Sequence, residues 1–600
     1  MPGIAGVLRH AGSQLGDDPI ISMVGRMRHE VAFVSGHATF AELGVSAGWV
    51  CRPDSFAANL PLWNEDRSVC LIFAGQEFSD HERISRGVPL KGENALVPLY
   101  EERGAQFVRE LNGCFTGLLV DLRKGRAILF NDRYGLGRIY FHESPDGFFF
   151  ASEAKSLLEV VPRLRELDQR SLAEFWSVGC PLEGRSLFHG ISLLPGGSAW
   201  TFHRDGRTER ARYFCPQEWE NQEPLANHEY VEQLTHVFSQ AIPRYFEKKS
   251  AVGISLTGGL DSRMLLAWTR ARKGELPCYT FGGQYRDSAD VRIARRLAAL
   301  VGQPHTTICI ENDFFARFED LAERTAYLTD GTMDVSGAVE LYVNERARKI
   351  APIRLTGNYG SEILRSNVAF RPRRLNRDIF TPEFSELLDE AEETYRTESA
   401  GHRLSFIAFK QVPWYHYARL AIEQSQLVPR TPFLDNELVA LAYRSPPAVA
   451  KSPWPCLSLI AAGNQFLAID TDQALPFRPR PLITSLARIW QDFTAKAEYV
   501  YDYGMPQWLA SVDRFLAPLR IERVFLGRHK FYHFRVWYRD RLADYVQKVL
   551  LDPLSLSRPW LRGNVVRKIV SDHVSGKANH TISIHNLLTV ELTRRQLVER

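Results

Sequence analysis

The stretch "GISLTGGLDSRMLL" (253–266) constrains the fold of this chain more than any other. A short apolar run ends at Leu256, the chain turns through Thr257, Gly258 and Gly259, and a helical pattern starts near Asp261. Two adjacent glycines let backbone approach an anion closely, because no Cβ stands in the way. Amide N–H groups at a helix start, with the helix dipole behind them, favour a phosphate or pyrophosphate. Thr257 and Ser262 add hydroxyl donors, and Asp261 offers carboxylate oxygen to a magnesium ion. There is no GK[ST], so this is not a Walker A loop. The plainer alternative is an ordinary strand–helix turn, in which the glycines permit the bend and Asp261 caps the helix.

The neighbouring pattern says which kind of sheet carries the loop. "AVGISL" (251–256), "CYTFGG" (278–283) and "HTTICI" (305–310) read as short buried strands. "YVEQLTHVFSQAIPRYF" (230–246), "SRMLLAWTRARKG" (262–274) and "SADVRIARRLAALVG" (288–302) have helical periodicity. Such alternation predicts a parallel sheet with helices on both faces. Upstream, "SVCLIFAG" (68–75), "CFTGLLVDL" (114–122), "GRAILFND" (125–132) and "GFFFAS" (147–152) read as strands, with a helix-like stretch over 95–111 between them. "CPQEWENQEPLANHEY" (215–230) is polar and aperiodic and predicts a linker. From about 370 on the chain reads as mostly helical. Six hundred residues is too long for one ordinary domain, so at least two are expected.

Composition removes several function classes. A formal charge of +4 over this length is mild and gives no reason to expect a nucleic-acid partner. The basic run "RPRRLNR" (371–377) reads as solvated surface, with a phosphate-rich substrate as the weaker reading. The eight cysteines are scattered without CxxC or metal spacing and read as small buried hydrophobes. No apolar run approaches the roughly 18 residues of a membrane span, and the first residues lack a signal-peptide core. The expectation is a cytoplasmic, reduced protein with no membrane partner.

"TGGLDS" resembles the SGGLDS pyrophosphate loop of ATP-pyrophosphatases, and Thr257 in place of Ser keeps the hydroxyl. The opening "MPGIAGVLRH" is similar to the first strand of a glutamine amidotransferase domain, in which the residue after the initiator methionine is the cysteine nucleophile. Further segments follow in family order: "DRYGLGRIYFHESPDGFFFASEAKSLLE" (132–159), "SLFHGISLLPGG" (186–197), "LVPRTPFLDNELVALAYRSP" (427–446), "GRHKFYHFRVWYRDRLADYVQKVLLD" (527–552) and "DHVSGKANHTISIHNLLTVEL" (572–592). Nearly end to end, the chain resembles class B asparagine synthetases and their β-lactam synthetase and lasso-peptide cyclase relatives.

The resemblance implies a two-domain α/β and α+β fold. A degenerate type 2 glutamine amidotransferase domain, an Ntn-hydrolase-like β-sandwich with helices, would occupy 1–212. A linker over 213–229 would lead to an ATP-pyrophosphatase-like parallel α/β domain with a mostly helical extension over 230–600. The 427–446 segment would be a helix pair, and Asp132 with Arg133 a buried pair. Pro2 supplies no thiol. Ala74 and Gln76 in "FAGQEFSD" (73–80) stand where the family's glutamine-binding Asn and Glu would be, Gly92 stands for its Asp, and "LGVSAGWVCRP" (43–53) holds no counterpart of its Arg segment. Glutaminase activity is therefore not expected.

For the second half, the resemblance puts adenine and ribose against Leu256, Gly283 and the Thr356–Gly357 backbone. Phosphates would lie on Thr257, Gly258, Gly259 and Ser262, with Asp261 on magnesium. Lys530 aligns with the lysine that stabilises charge during adenylation; a surface lysine is the alternative. The family's second loop, SG[DE]G.DE, is represented by "TGNYGSE" (356–362): Asn358 replaces an acid, Ser361 replaces the second metal-binding Asp, and Glu362 remains. Asp261 with Glu362, or Ser361 through water, would then hold the metal, and Glu362 and Lys530 would be catalytic. The implied activity is an ATP- and Mg²⁺-dependent, AMP-forming amide ligase that joins a small-molecule or peptide carboxylate to an amine or ammonia. The alternatives are an ammonia-using asparagine synthetase, an intramolecular cyclase of the lasso-peptide or β-lactam type, and a non-catalytic scaffold. A homodimer is among the assemblies the resemblance allows.

Overall fold

The computed structural model describes residues 2–10, 19–53, 55–79, 92–246, 250–468, 481–504 and 521–599. Asp80, the last residue of the "FAGQEFSD" segment, lies outside them. Among the described residues no helix is long and apolar enough to cross a membrane.

The first half is a sandwich of two six-stranded antiparallel sheets. One contains β1 (Gly3–Arg9), β2 (Val34–Phe40), β3 (Val45–Cys51), β8 (Tyr140–Ser144), β9 (Gly147–Ala151) and β10 (Ser192–Leu193). The other contains β4 (Leu62–Trp63), β5 (Val69–Glu77), β6 (Gly113–Asp121), β7 (Arg126–Asn131), β11 (Ser198–His203) and β12 (Thr208–Arg212). Ile4, Val45, Ile72, Leu118, Leu129 and Phe150 fill the space between the sheets. The central strands are apolar on both faces because both are covered, which is why their sequences run as continuous hydrophobic stretches and not as alternations. The outer face of the second sheet, with Leu71, Phe73, Leu119 and Phe130, belongs to the same buried cluster as Tyr230, Ile242, Ile254 and Met264 of the second half. One apolar core thus runs through both halves.

The second half is built on a five-stranded parallel sheet in the order β15–β14–β13–β16–β17. These are β13 (Val252–Ser255), β14 (Cys278–Gly282), β15 (His305–Cys309), β16 (Ile353–Thr356) and β17 (Val428–Arg430). From β13 the chain builds outward to β15, then returns to add β16 and β17 on β13's other side. The reversal opens a crevice between the carboxyl ends of β13 and β16, the place where open α/β sheets bind ligands.

Several local expectations need correction. The 95–111 stretch is a helix only over Leu96–Arg103, because Gly104 turns at φ 58° into a 3-10 segment. The helix after the Gly-Gly turn ends at Ala267, and "TRARKG" is not part of it. The 427–446 segment is not a helix pair but the edge strand β17, a 3-10 turn and the helix Asn436–Ala442. The polar linker is packed down: Trp219 lies against Phe409 and Tyr443, and Leu225 N–H donates to Arg444 O at 2.9 Å. Asp132 and Arg133 are not a pair. The Asp132 carboxylate accepts backbone N–H groups of Phe115, Tyr134, Leu136 and Gly137, whereas Arg133 donates to Arg109 O and lies over Phe214 and Trp219.

Candidate active site

The loops after β13 and β16 are brought together by their strands, since Ser255 and Thr356 are partners in the parallel ladder. Contact is close enough to require glycine twice. A Cβ on Gly357 would stand 2.6 Å from the Ser262 nitrogen, and one on Gly360 would stand 2.7 Å from Asp261 Cγ. Thr257, Gly259, Asp261, Ser262, Thr356, Gly357 and Glu362 all line one cavity of about 570 Å³.

Within the first loop the polar groups organise one another. Thr257 N–H donates to Ser262 Oγ at 3.0 Å, and Gly259 N–H to Thr257 Oγ1 at 3.2 Å. Gly258 N–H is engaged by Asp290 Oδ1 at 2.9 Å, and its carbonyl accepts from the buried Arg263. Burial raises the Asp290 carboxyl above its usual range, with the Gly258 bond opposing. Asp290 thus occupies the Gly258 amide that the motif alone would offer to an anion.

Asp261 is held by the second loop. Its Oδ2 accepts the Ser361 N–H at 3.0 Å, while its Oδ1 is buried without a hydrogen-bond donor and Arg365 Nη2 stands 3.6 Å away. Burial raises the Asp261 carboxyl to about 6, with Arg365 opposing and Glu362 adding to the rise. Burial also raises Glu362, whose Oε2 accepts from Ser361 Oγ at 3.1 Å. Among the described residues no cluster of three or more His, Cys, Asp or Glu could hold a metal by itself. A donorless carboxylate oxygen beside a second carboxylate nevertheless fits Mg²⁺, which takes one or two protein carboxylates and completes its shell with water and substrate phosphate.

"TGNYGSE" departs from its family pattern at a further place, Tyr359 standing where the pattern has glycine. Tyr359 has φ 72°, a left-handed conformation in which a non-glycine residue costs roughly 1–2 kcal/mol. Its ring is buried and stacks on His416, centroids 5.8 Å apart, and both line the cavity. Burial lowers His416 to about 3, so that wall is a neutral imidazole at ordinary pH.

Leu256, Gly258, Gly283 and Lys530 do not line this cavity. Leu256 is fully buried and its carbonyl accepts the Thr280 hydroxyl at 2.6 Å. Gly283 abuts the segment that carries the lysine, since a Cβ there would stand 3.1 Å from Phe531 Cα. Lys530 is buried, paired with Asp502, and enclosed by the rings of Tyr503, Tyr532 and Tyr499 at 3.9, 4.9 and 5.3 Å. It is not the surface lysine of the alternative reading.

The first half braces the segment that leads into the cavity wall at one place and lines the cavity at another. Asp330 accepts Ala154 N–H at 2.7 Å and Lys155 N–H at 3.2 Å, capping the helix Ala154–Val160 from across the chain. Lys155 Nζ pairs with Asp330 at 3.0 Å and with Glu153, which in turn meets His29 Nε2 at 2.7 Å. Asp330 leads directly into Thr332, Met333, Asp334 and Ser336 of the cavity wall. The second place is Gly179, itself a lining residue, at the C-terminus of the helix Gln169–Val178.

A family model described as a glutamine amidotransferase domain matches residues 1–214, and one described as asparagine synthase matches residues 233–454. A putative glutamine-hydrolysing asparagine synthetase of Methanocaldococcus jannaschii is 24% identical over 313 residues, covering 50% of this chain and 59% of that protein. A nodule asparagine synthetase of Pisum sativum is 23% identical over 444 residues, covering 70% of this chain and 66% of its own. The chain thus spans under two thirds of the length of these relatives. Among solved structures, a Bacillus subtilis glutamine phosphoribosylpyrophosphate amidotransferase complexed with ADP and GMP covers 52% of this chain and 67% of its own at 13% identity, with a TM-score of 0.25. The two family models lie in order along the chain, and each of the two loops that the second half needs follows its own strand into one crevice. A glutamine amidotransferase domain followed by an asparagine synthase domain, with asparagine synthetases among the relatives, supports an asparagine synthetase-like family for this chain.

Proposed function

We propose that the protein is an ATP-dependent, AMP-forming amide ligase that activates a carboxylate and passes it to an amine or ammonia without hydrolysing glutamine. The observation that carries this reading is Asp261 Oδ1, buried without a donor where the β13 and β16 loops meet. The division proposed is 1–212 for the former amidotransferase domain, 213–229 for the linker and 230–600 for the ligase.

A carboxylate is a poor acyl donor until its oxygen attacks the α-phosphorus of ATP, displacing pyrophosphate and gaining AMP as the group the amine will later displace. This chain's part is to hold charge in place while that happens. The Thr257 and Ser262 hydroxyls offer donors to phosphate oxygens, and Gly259 N–H can join them by exchanging Thr257 Oγ1 for phosphate. Asp261 and Glu362 are assigned to the magnesium ion, with Ser361 orienting both carboxylates. Leu256, Gly283 and the Thr356–Gly357 backbone are assigned to adenine and ribose. Lys530 is assigned to charge stabilisation, which requires it to exchange Asp502 for a phosphate oxygen.

Substrate-dependent pyrophosphate release tests the assignment. Glu362→Gln and Lys530→Ala should each lower it by roughly 100-fold, the scale of losing a charge-stabilising group. Ser361→Asp should be neutral or mildly favourable to magnesium affinity. Equal release from wild type and both deficient variants would remove Glu362 and Lys530 from catalysis. The Lys530–Asp502 pairing favours a second reading, a nucleotide-binding protein that does not turn over; it predicts neither AMP nor pyrophosphate with any carboxylate offered.

The first half should be inert toward glutamine, because Pro2, Ala74, Gln76 and Gly92 replace the nucleophile and its binding residues together. Pro2→Cys should leave glutamate release at the level of a blank preparation. Measurable glutaminase activity in that variant would mean that the binding residues survive in another form.

A further inference from the structure

The basic run 371–377 divides in the fold. Arg371, Arg374 and Arg377 are exposed, and Arg377 pairs with Asp389 and Glu392. Arg373 turns inward and lines the cavity with Asp334 and Arg419. Arg419 has an acidic partner, Glu340 at 3.4 Å. Arg373 has no carboxylate at ion-pair distance among the described residues; Nη1 donates to Asn586 Oδ1 at 3.3 Å, and Asp334, which shares the cavity wall, feels its charge without a direct hydrogen bond to it. A half-buried guanidinium in a ligand cavity with one long side-chain hydrogen bond and no direct ion pair keeps most of its planar donors open, and those donors suit an oxyanion.

What holds this side chain comes from the first half. Arg373 N–H donates to Ser177 O at 2.7 Å. Its guanidinium lies over Gly179, which has φ 96° and no Cβ; a Cβ there would stand 2.5 Å from Nη2 and 2.8 Å from Cζ. Gly179 is therefore required twice, for its left-handed turn and for the space it leaves.

We propose that Arg373 is an oxyanion receptor of the ligase cavity, and that the first half, having no glutaminase chemistry, presents it through Ser177 and Gly179. Arg373 is the specificity residue and Gly179 the positioning residue. The inference rests on the ligase reading of the cavity. The oxyanion comes either from a nucleotide phosphate or from a carboxylate of the acyl substrate, and the experiment separates these sources.

The probes are MgATP and succinate, each titrated calorimetrically into full-length wild type, Arg373→Gln, Arg373→Lys and Gly179→Ala. Arg373→Gln should weaken one probe at least tenfold, and that probe identifies the source. Arg373→Lys should lose less, since the charge remains. Gly179→Ala should weaken the same probe although the change lies in the other half; if it does not fold, Gly179→Asn is read instead, because Asn tolerates the left-handed region. If neither probe responds to Arg373→Gln, Arg373 is not a receptor. If Arg373→Gln weakens a probe and the Gly179 variant does not, the role of the first half is overturned. Wild type that binds MgATP while every Arg373 and Gly179 variant matches it refutes only this inference. Wild type that binds neither probe refutes the ligase reading and this inference with it.

Discussion

Asp261→Asn is expected to lower MgATP affinity about 100-fold, roughly 2.7 kcal/mol, while the ligand-free protein becomes more stable. The opposite signs follow from one atom. Asp261 Oδ1 is buried without a donor, so ionising it in the empty site is unfavourable, and an amide there relieves the cost. With Mg²⁺ and phosphates present the same charge becomes the attraction. Burial raises the carboxyl from 3.8 to about 6 in the folded state. Below pH 3.8 both states are protonated and there is no penalty. Between 3.8 and 6 the unfolded chain ionises first and the contribution to stability falls. Above pH 6 the full penalty, about 3 kcal/mol, is present in the ligand-free protein. MgATP should relieve it, and MgATP affinity should decline as pH drops below 6 because the ion needs the carboxylate deprotonated. Thermal melts and calorimetry of both proteins from pH 5 to 8 check this. If the variant binds MgATP as wild type does, Asp261 is not on the metal.

The second large effect concerns stability. Lys155→Met should destabilise the whole protein by roughly 3–5 kcal/mol, the scale for removing one member of a buried charge network. Glu153, Lys155 and Asp330 are all buried. Burial alone would raise Glu153, but His29 and Lys155 hold it below the usual carboxylate range, and Asp330 and Glu153 raise Lys155 against its own burial. Without the ammonium two buried carboxylates face each other, with the His29 imidazole on Glu153 and the Ala154 and Lys155 amides on Asp330 left to offset them. Asp330→Asn should cost less, since the amide oxygen still caps Ala154 and Asn accepts the left-handed backbone that Asp330 has at φ 50°. Denaturant melts followed separately in each half check the ranking. If Lys155→Met melts at the wild-type midpoint, the network does not join the halves.

The turn after β13 was legible because it is local. Thr257, Gly259 and Ser262 lie within one turn, and a strand on one side with a helix on the other is enough to bring them to the cavity, whereas Gly258 stays outside its lining. The second loop was legible for the same reason, and β13–β16 pairing supplied what sequence could not, their adjacency. Asp290 was missed because it sits on a helix 32 residues later and reaches Gly258 only through the packing of that helix. Arg373 was missed because a run of arginines carries no sign of which one turns inward. The seclusion of Lys530 depends on tyrosines at 499, 503 and 532, which no motif spacing connects. In the fold, β17 escaped because its strand, Val428–Arg430, is too short for a period of two to show. Asp132 next to Arg133 suggested a pair, yet a loop folding back on four amides was the stronger demand.

The cap that Asp330 places on the helix Ala154–Val160 also bears on how such a protein changes over generations. A domain that has lost its reaction is normally free to be trimmed, because nothing selects for it. Here deletion of the first half would strip Asp330 of its amide and ammonium partners and open the apolar face that Phe73 and Phe130 share with Ile254. A partial excision would already uncover this shared face. Under the proposed reading, in which the first half hydrolyses no glutamine, the joint core works as a ratchet that keeps that half in the gene.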